Sequence, residues 1–113
     1  MRKILFFAAA GAIATLLINC TASRKAGKAK PVITYASQVQ PVLQASCAPC
    51  HFPDKGGRKK AYDNIEVVKQ DIDEIIRRIS LSPSEKGFMP FKNPKLSDST
   101  IAIFRQWKED GLQ

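Results

Sequence analysis

The hexapeptide CAPCHF, which runs from Cys47 to Phe52, decides how the rest of this chain is interpreted. It places two cysteines three positions apart, and a histidine follows the second cysteine directly. Metal coordination, a redox-active dithiol and covalent attachment of a cofactor all use such a spacing. These three interpretations predict different proteins, so the remainder of the sequence has to distinguish them.

The first residues predict export from the cytoplasm. Arg2 and Lys3 precede an apolar run from Ile4 to Ile18, a pattern that is typical of a secretory signal peptide. The run is shorter than the ~20 residues that span a bilayer. We therefore predict a signal peptide over residues 1–19.

The end of this segment predicts a lipid anchor. The motif LINC at residues 17–20 resembles a bacterial lipobox, in which the cysteine becomes the lipidated first residue of the mature protein. An ordinary signal peptide is the alternative. We predict that residues 20–34 form a flexible basic tether, because their charges lie among small residues without apolar periodicity. A lipidated Cys20 and a basic tether together predict attachment to the periplasmic face of a membrane.

The formal net charge of +8 comes largely from this leading part of the chain. From Pro31 onward there are 12 basic and 10 acidic residues. The folded part is therefore close to neutral, and the charge does not indicate a nucleic-acid partner.

Residues 35–113 predict one small all-α domain with three helices and long loops. Apolar residues recur at helical spacing over Ser37–His51, Asn64–Ser80 and Asp98–Asp110. We expect Ser37 and Ser97 to cap the first and third helices, and Gly111 to end the third. Such a domain has a small core, so it needs a disulfide, a metal or a cofactor to stabilise it.

Zinc and dithiol chemistry fit the cysteine motif poorly. Structural zinc uses four Cys or His ligands, whereas the folded part offers only Cys47, Cys50 and His51. A thioredoxin-like dithiol lies at a helix N-terminus in a βαβ unit, and this chain predicts no strands. A plain disulfide would close a very short loop and would stabilise little.

Haem attachment fits the motif better, because C-x-x-C-H is the signature of c-type haem. Positions i, i+3 and i+4 share one helix face, so Cys47 and Cys50 can reach one edge of a porphyrin while His51 reaches its iron. Met89 is the only methionine after the first residue and lies in a proline-rich loop. A core role is usual for methionine, but this setting favours a second iron ligand.

With these features, the sequence resembles small bacterial class I c-type cytochromes. The resemblance is carried, in order, by VQPVLQASCAPCH, GFMPF and LSDSTIAIFRQWKEDG. It implies a small cytochrome c fold around one covalent haem c, with thioethers at Cys47 and Cys50 and axial ligands at His51 and Met89. It also implies that the first and last helices pack together near Phe104 and Trp107.

The stretch FPDKGGRKKAYDN, residues 52–64, departs from the family pattern. The carbonyl that accepts the N–H of the haem histidine is therefore open, with Pro53 as one candidate. The partners of the haem propionates are open as well, with Arg58, Lys59 and Lys60 as candidates.

A six-coordinate iron with Met ligation is suited to one-electron transfer rather than to substrate turnover. We therefore expect a membrane-tethered electron carrier, not an enzyme, whose partners are redox proteins and which takes no small-molecule substrate. A haem-bearing subunit of a larger oxidoreductase is one alternative. A gas or peroxide sensor or enzyme is the other, if Met89 dissociates readily.

Overall fold

The computed structural model describes residues 30–113. The predicted signal peptide, the predicted lipidation site Cys20 and the first part of the predicted tether lie outside the described residues. Over residues 30–113 the chain has three α-helices and no strand, which confirms the predicted all-α class. No helix in this part of the chain is both long enough and apolar enough to cross a membrane.

The second and third helices follow the predicted pattern closely. Helix α2 spans Ile65–Ser80, and the Asn64 side chain caps it by accepting a hydrogen bond from the Glu66 N–H at 2.8 Å. Helix α3 spans Asp98–Glu109, and the Ser97 hydroxyl accepts from the Thr100 N–H at 3.2 Å. Caps of this kind satisfy backbone donors that have no partner within the helix.

The end of α3 also follows the prediction. Gly111 lies just beyond the helix with a positive φ of 88°, a conformation that glycine adopts without steric cost. Ile101, Phe104 and Trp107 form the buried face of α3, whereas Ile103 is only half-buried.

The first helix differs from the prediction. A π-helical turn over Tyr35–Val39 leads into α1, which covers only Gln40–Ser46. Thr34, not Ser37, precedes the first turn, and its N–H donates to the Gln38 side chain at 2.9 Å. The predicted capping role of Ser37 is therefore wrong. Helix α1 stops before the cysteine motif, because proline at position 49 disfavours a helical residue before it and lacks an N–H.

The core joins the two ends of the domain. Helix α3 packs against both α2 and the π-helical turn. Trp107 is fully buried, and its ring lies 5.7 Å from that of Tyr35. The carbonyl of Gln113 accepts hydrogen bonds from the Trp107 indole at 2.7 Å and from the Tyr35 N–H at 2.8 Å. The first and last helical segments therefore pack together, as the family resemblance implied.

Candidate haem site

The cysteine motif forms a tight turn at the end of α1. The Cys47 N–H donates to the Leu43 carbonyl at 2.8 Å, which continues the helical hydrogen bonding by one step. The His51 N–H then donates to the Cys47 carbonyl at 3.1 Å. This i to i+4 bond holds His51 one turn beyond Cys47, so that both residues and Cys50 line the same cavity.

The segment after the motif folds back onto it. The Lys59 N–H donates to the Cys50 carbonyl at 3.0 Å. Gly57 lies so close that a Cβ at this position would be 2.2 Å from the Pro49 carbonyl oxygen and 2.5 Å from that of Cys50. A glycine is therefore required here by the approach of two backbones. The stretch that departs from the family pattern thus supports the motif.

The partner of the His51 ring is the carbonyl of Lys60, which lies 2.7 Å from Nδ1. A carbonyl oxygen only accepts, so Nδ1 carries a proton and donates to Lys60, and in the neutral ring Nε2 then has the lone pair. Pro53, a candidate for this role from sequence, instead has a carbonyl that accepts from the Gly56 N–H at 3.0 Å. A metal-binding histidine requires such an arrangement, in which one nitrogen is fixed and the other is free to coordinate.

The motif faces a cavity of about 630 Å³. Pockets of roughly 300–1,000 Å³ are typical of sites for small molecules and cofactors. Its apolar walls come from every part of the domain: Ala48, Ile75, Ile79, Pro90, Phe91, Leu96 and Phe104. Phe104 therefore belongs to the cavity, whereas Trp107 lies in the contact between α3 and the first helical turn.

Met89 lies on the wall of the same cavity and is half-buried against the core. Its N–H donates to the Arg78 carbonyl at 3.3 Å, and the buried Phe88 and Pro90 flank it. Gly87, with a φ of 95°, makes the turn into this segment. All four residues that the sequence predicts to hold haem, namely Cys47, Cys50, His51 and Met89, thus line one cavity.

The two cysteines within residues 30–113 have free thiols rather than a disulfide. Cys50 is exposed and Cys47 is half-buried. Burial raises the pKa of Cys47 to about 11. Redox-active dithiols depend on a cysteine whose pKa is lowered instead, so Cys47 lacks the property that such chemistry requires.

Three Lys or Arg residues of the described part of the chain line the cavity, and they are not the set that the sequence suggested for the propionates. Lys59 and Lys60, two of the candidates from sequence, do line the cavity. Arg78 lines it as well, whereas the third candidate, Arg58, does not. The Lys60 ammonium is 2.6 Å from Asp71, and Arg78 is 2.6 Å from Glu74. Lys59, which has no ion pair among the described residues, is therefore the better candidate to meet a carboxylate group of a cofactor.

Sequence reasoning missed Tyr62, Asp71 and Arg78, which all line the cavity. For the two residues on α2 a signal exists. Asp71, Glu74 and Arg78 recur at helical spacing directly beside the isoleucine stripe. Charged residues at that border of an apolar stripe are placed to contact a buried group. Tyr62 precedes α2 and carries no periodic signal.

The cavity thus combines the size, the apolar walls, the C-x-x-C-H turn and the second ligand-type side chain that one haem c needs. To bind the iron of such a haem, the protein would need to supply only one His and one Met side chain. Comparison of this chain with protein-family models, with curated protein sequences and with solved structures found no match.

Proposed function

We propose that this chain is a monohaem c-type cytochrome that transfers single electrons between redox proteins. The observation that supports the proposal most strongly is the cavity shared by Cys47, Cys50, His51 and Met89. These residues come from the end of α1 and from the loop before α3, so two separate parts of the chain converge on one site.

Each of the four residues has a distinct role in this proposal. The Sγ atoms of Cys47 and Cys50 would form the thioethers that retain the haem. Nε2 of His51 and Sδ of Met89 would hold the iron. When bound, the haem supplies an iron that alternates between the ferrous and ferric states. The Lys60 carbonyl keeps His51 in the tautomer that leaves Nε2 free.

The surroundings favour electron transfer over catalysis. Two protein ligands leave no iron position for a substrate, and Met ligation raises the reduction potential. Ile75, Ile79 and Phe104 give the site buried, apolar walls. Phe91 lines the cavity and is also 66% exposed, so the site reaches the surface where a partner protein can approach.

In this proposal the carrier is exported, lipid-anchored through Cys20 and tethered by residues 20–34 to the periplasmic face of a membrane. Its partners are redox proteins, which it meets through small and weak interfaces. The tether restricts the domain to the membrane surface, where respiratory partners lie. This raises the frequency of encounter without any additional contact between the partners.

An equilibrium redox titration of the purified mature protein, followed by absorption, tests this function. We expect one reversible one-electron transition and a ferrous spectrum that does not change when CO is added. A spectrum that shifts readily with CO would contradict firm Met89 ligation and would favour a sensor or an enzyme. Absence of any haem absorption would refute the proposal.

A further inference from the structure

Asp71, on the side of α2 that faces the cavity, joins two residues of the preceding segment. One carboxylate oxygen accepts from the Lys60 ammonium at 2.6 Å and the other accepts from the Tyr62 hydroxyl at 2.5 Å. Burial alone would raise the pKa of Asp71, but these two hydrogen bonds hold its pKa below the ordinary value. The carboxylate is therefore ionised at neutral pH, and both bonds are of the stronger, charge-assisted kind.

The same two residues hold His51. The Lys60 carbonyl accepts from Nδ1 at 2.7 Å, and the Tyr62 N–H donates to the His51 carbonyl at 2.8 Å. The Tyr62 ring also stacks on the imidazole, with 4.3 Å between ring centroids and 4° between their planes. These three contacts determine the position, the tautomer and the tilt of the imidazole.

Asp71 itself does not touch His51 through any of these bonds, so it acts through Lys60 and Tyr62. Its side chain is only 13% exposed, whereas that of Lys60 is 56% exposed. Without Asp71, the Lys60 and Tyr62 side chains would lose these two hydrogen bonds to α2. Helix α2 also supplies Ile75 and Ile79 to the cavity, so Asp71 ties the support of His51 to a wall of the site.

We propose that Asp71 is a positioning residue for the haem histidine, because it clamps Lys60 and Tyr62 to α2 and so keeps the Nδ1 proton of His51 engaged. This inference rests on the proposed function for its consequence at the iron. An engaged Nδ1 proton makes the imidazole a stronger donor, which stabilises ferric iron. The clamp therefore lowers the reduction potential of the protein.

The test compares Asp71→Asn with Asp73→Asn in the full mature chain as purified. Asp73 lies on the same helix, is exposed, and pairs with Lys108 instead. Nuclear magnetic resonance measures solvent exchange of the His51 Nδ1 proton and of the Tyr62 amide, and a redox titration measures the midpoint potential. We expect Asp71→Asn to speed both exchanges by about tenfold, as loss of a charge-assisted hydrogen bond predicts, and to raise the potential. Asp73→Asn should match the parent protein.

A second variant covers the case in which Asp71→Asn does not accumulate. Tyr62→Phe keeps the ring and removes only the hydroxyl that binds Asp71, and it should speed the same two exchanges by a smaller factor. Exchange rates and potentials equal to those of Asp73→Asn would overturn the proposal. A chain that purifies without haem would refute the proposed function. The exchange comparison in that chain would still decide the role of Asp71, because the His51 Nδ1 proton and the Tyr62 amide proton both belong to the protein.

Discussion

The two sides of the cavity hold their predicted iron ligands in different ways. On the His51 side, the backbone N–H and C=O of the residue and its ring nitrogen all have partners, at 3.1, 2.8 and 2.7 Å. On the Met89 side, the backbone contributes one hydrogen bond, from the Met89 N–H to the Arg78 carbonyl at 3.3 Å. The buried neighbours Phe88 and Pro90 provide most of the remaining attachment.

This difference predicts which of the two proposed ligands would dissociate from the iron first. Hydrogen bonds specify direction, so the His51 ring is confined to one orientation and one tautomer. Apolar burial is non-directional, so the methionine segment can move while it keeps its buried neighbours. The long loop from Leu81 to Ser97 has no helix or strand of its own, which lowers its resistance to local opening further. The following predictions test this contrast.

Replacement of His51 by alanine should have the largest effect. Removal of the ring abolishes its hydrogen bond to the Lys60 carbonyl and its stacking on Tyr62, and it removes the proposed ligand of the iron. We expect haem-bearing protein to fall by at least about tenfold, since several interactions disappear together. Covalent haem staining of the exported fraction measures this. Arg58→Ala, an exposed change in the following loop, should leave the amount of haem unchanged; equal loss in both variants would contradict the role of His51.

Gly57→Ala should destabilise the fold strongly. The new Cβ would lie within 2.5 Å of two backbone oxygens of the cysteine motif, and backbone cannot yield as a flexible side chain can. We expect a loss of about 3 kcal/mol in the free energy of unfolding, at the upper end for overpacking. Denaturant unfolding measures this free energy.

Gly56→Ala is the matched control for that measurement. Gly56 has a positive φ of 81° but open space around it, so only backbone strain of about 1 kcal/mol is expected. If the two variants lose equal stability, the close approach of Gly57 to the motif is not the cause.

Met89→Ala should change the iron site but keep the haem. The proposed thioethers at Cys47 and Cys50 and the proposed ligand His51 are untouched, so the protein should still accumulate with haem. We expect CO to bind to the ferrous form and the reduction potential to fall, because Met ligation raises it. Spectra with CO and a redox titration measure both. Phe91→Ala, in the same loop, should stay closed to CO; if it opens the site equally, loop packing rather than ligation by Met89 controls access.

Asp110 should give the smallest effect, at acid pH. Its carboxylate accepts from the Ile33 N–H at 2.8 Å and from the Gln106 amide at 2.6 Å, and these bonds hold its pKa below the ordinary value of 3.8. Because the pKa of Asp110 is lower in the folded state than in the unfolded state, its carboxylate stabilises the fold at pH values above 3.8. This stabilisation is lost as the pH falls through the folded-state pKa.

Thermal melts from pH 7 to pH 2 test this contribution. Asp110→Asn should lower the melting temperature at neutral pH, and the difference from the parent should shrink below about pH 4. Glu109→Gln, an exposed neighbour, should show no such trend. A difference that stays constant across the pH range would exclude the carboxylate as its source.

The parts of the fold that could be predicted from the sequence are those with local signals. Asn64 and Ser97 mark the starts of α2 and α3, and the apolar period marks their buried faces. The start of the first helix was missed because the Gln38 side chain, rather than Ser37, satisfies the first backbone donor. No local pattern distinguishes those two arrangements.

The candidate site also has features that could be predicted from the sequence and features that could not. The spacing of the cysteine motif and the single methionine after the first residue identify Cys47, Cys50, His51 and Met89, and all four line the cavity. The support of His51 could not be predicted, because its acceptor is a backbone carbonyl and any residue type provides one. The pairing of Asp71 with Lys60 and Tyr62 depends on how the loop returns to α2, which is a tertiary contact.

Covalent haem on the cysteine motif is the central claim, and mass spectrometry of the denatured mature protein tests it most directly. The protein should come from cells that are competent to attach haem c. We predict an intact mass increased by one haem, and after proteolysis that increase should stay on the peptide that contains Cys47, Cys50 and His51. An unmodified peptide with two free thiols would contradict the account.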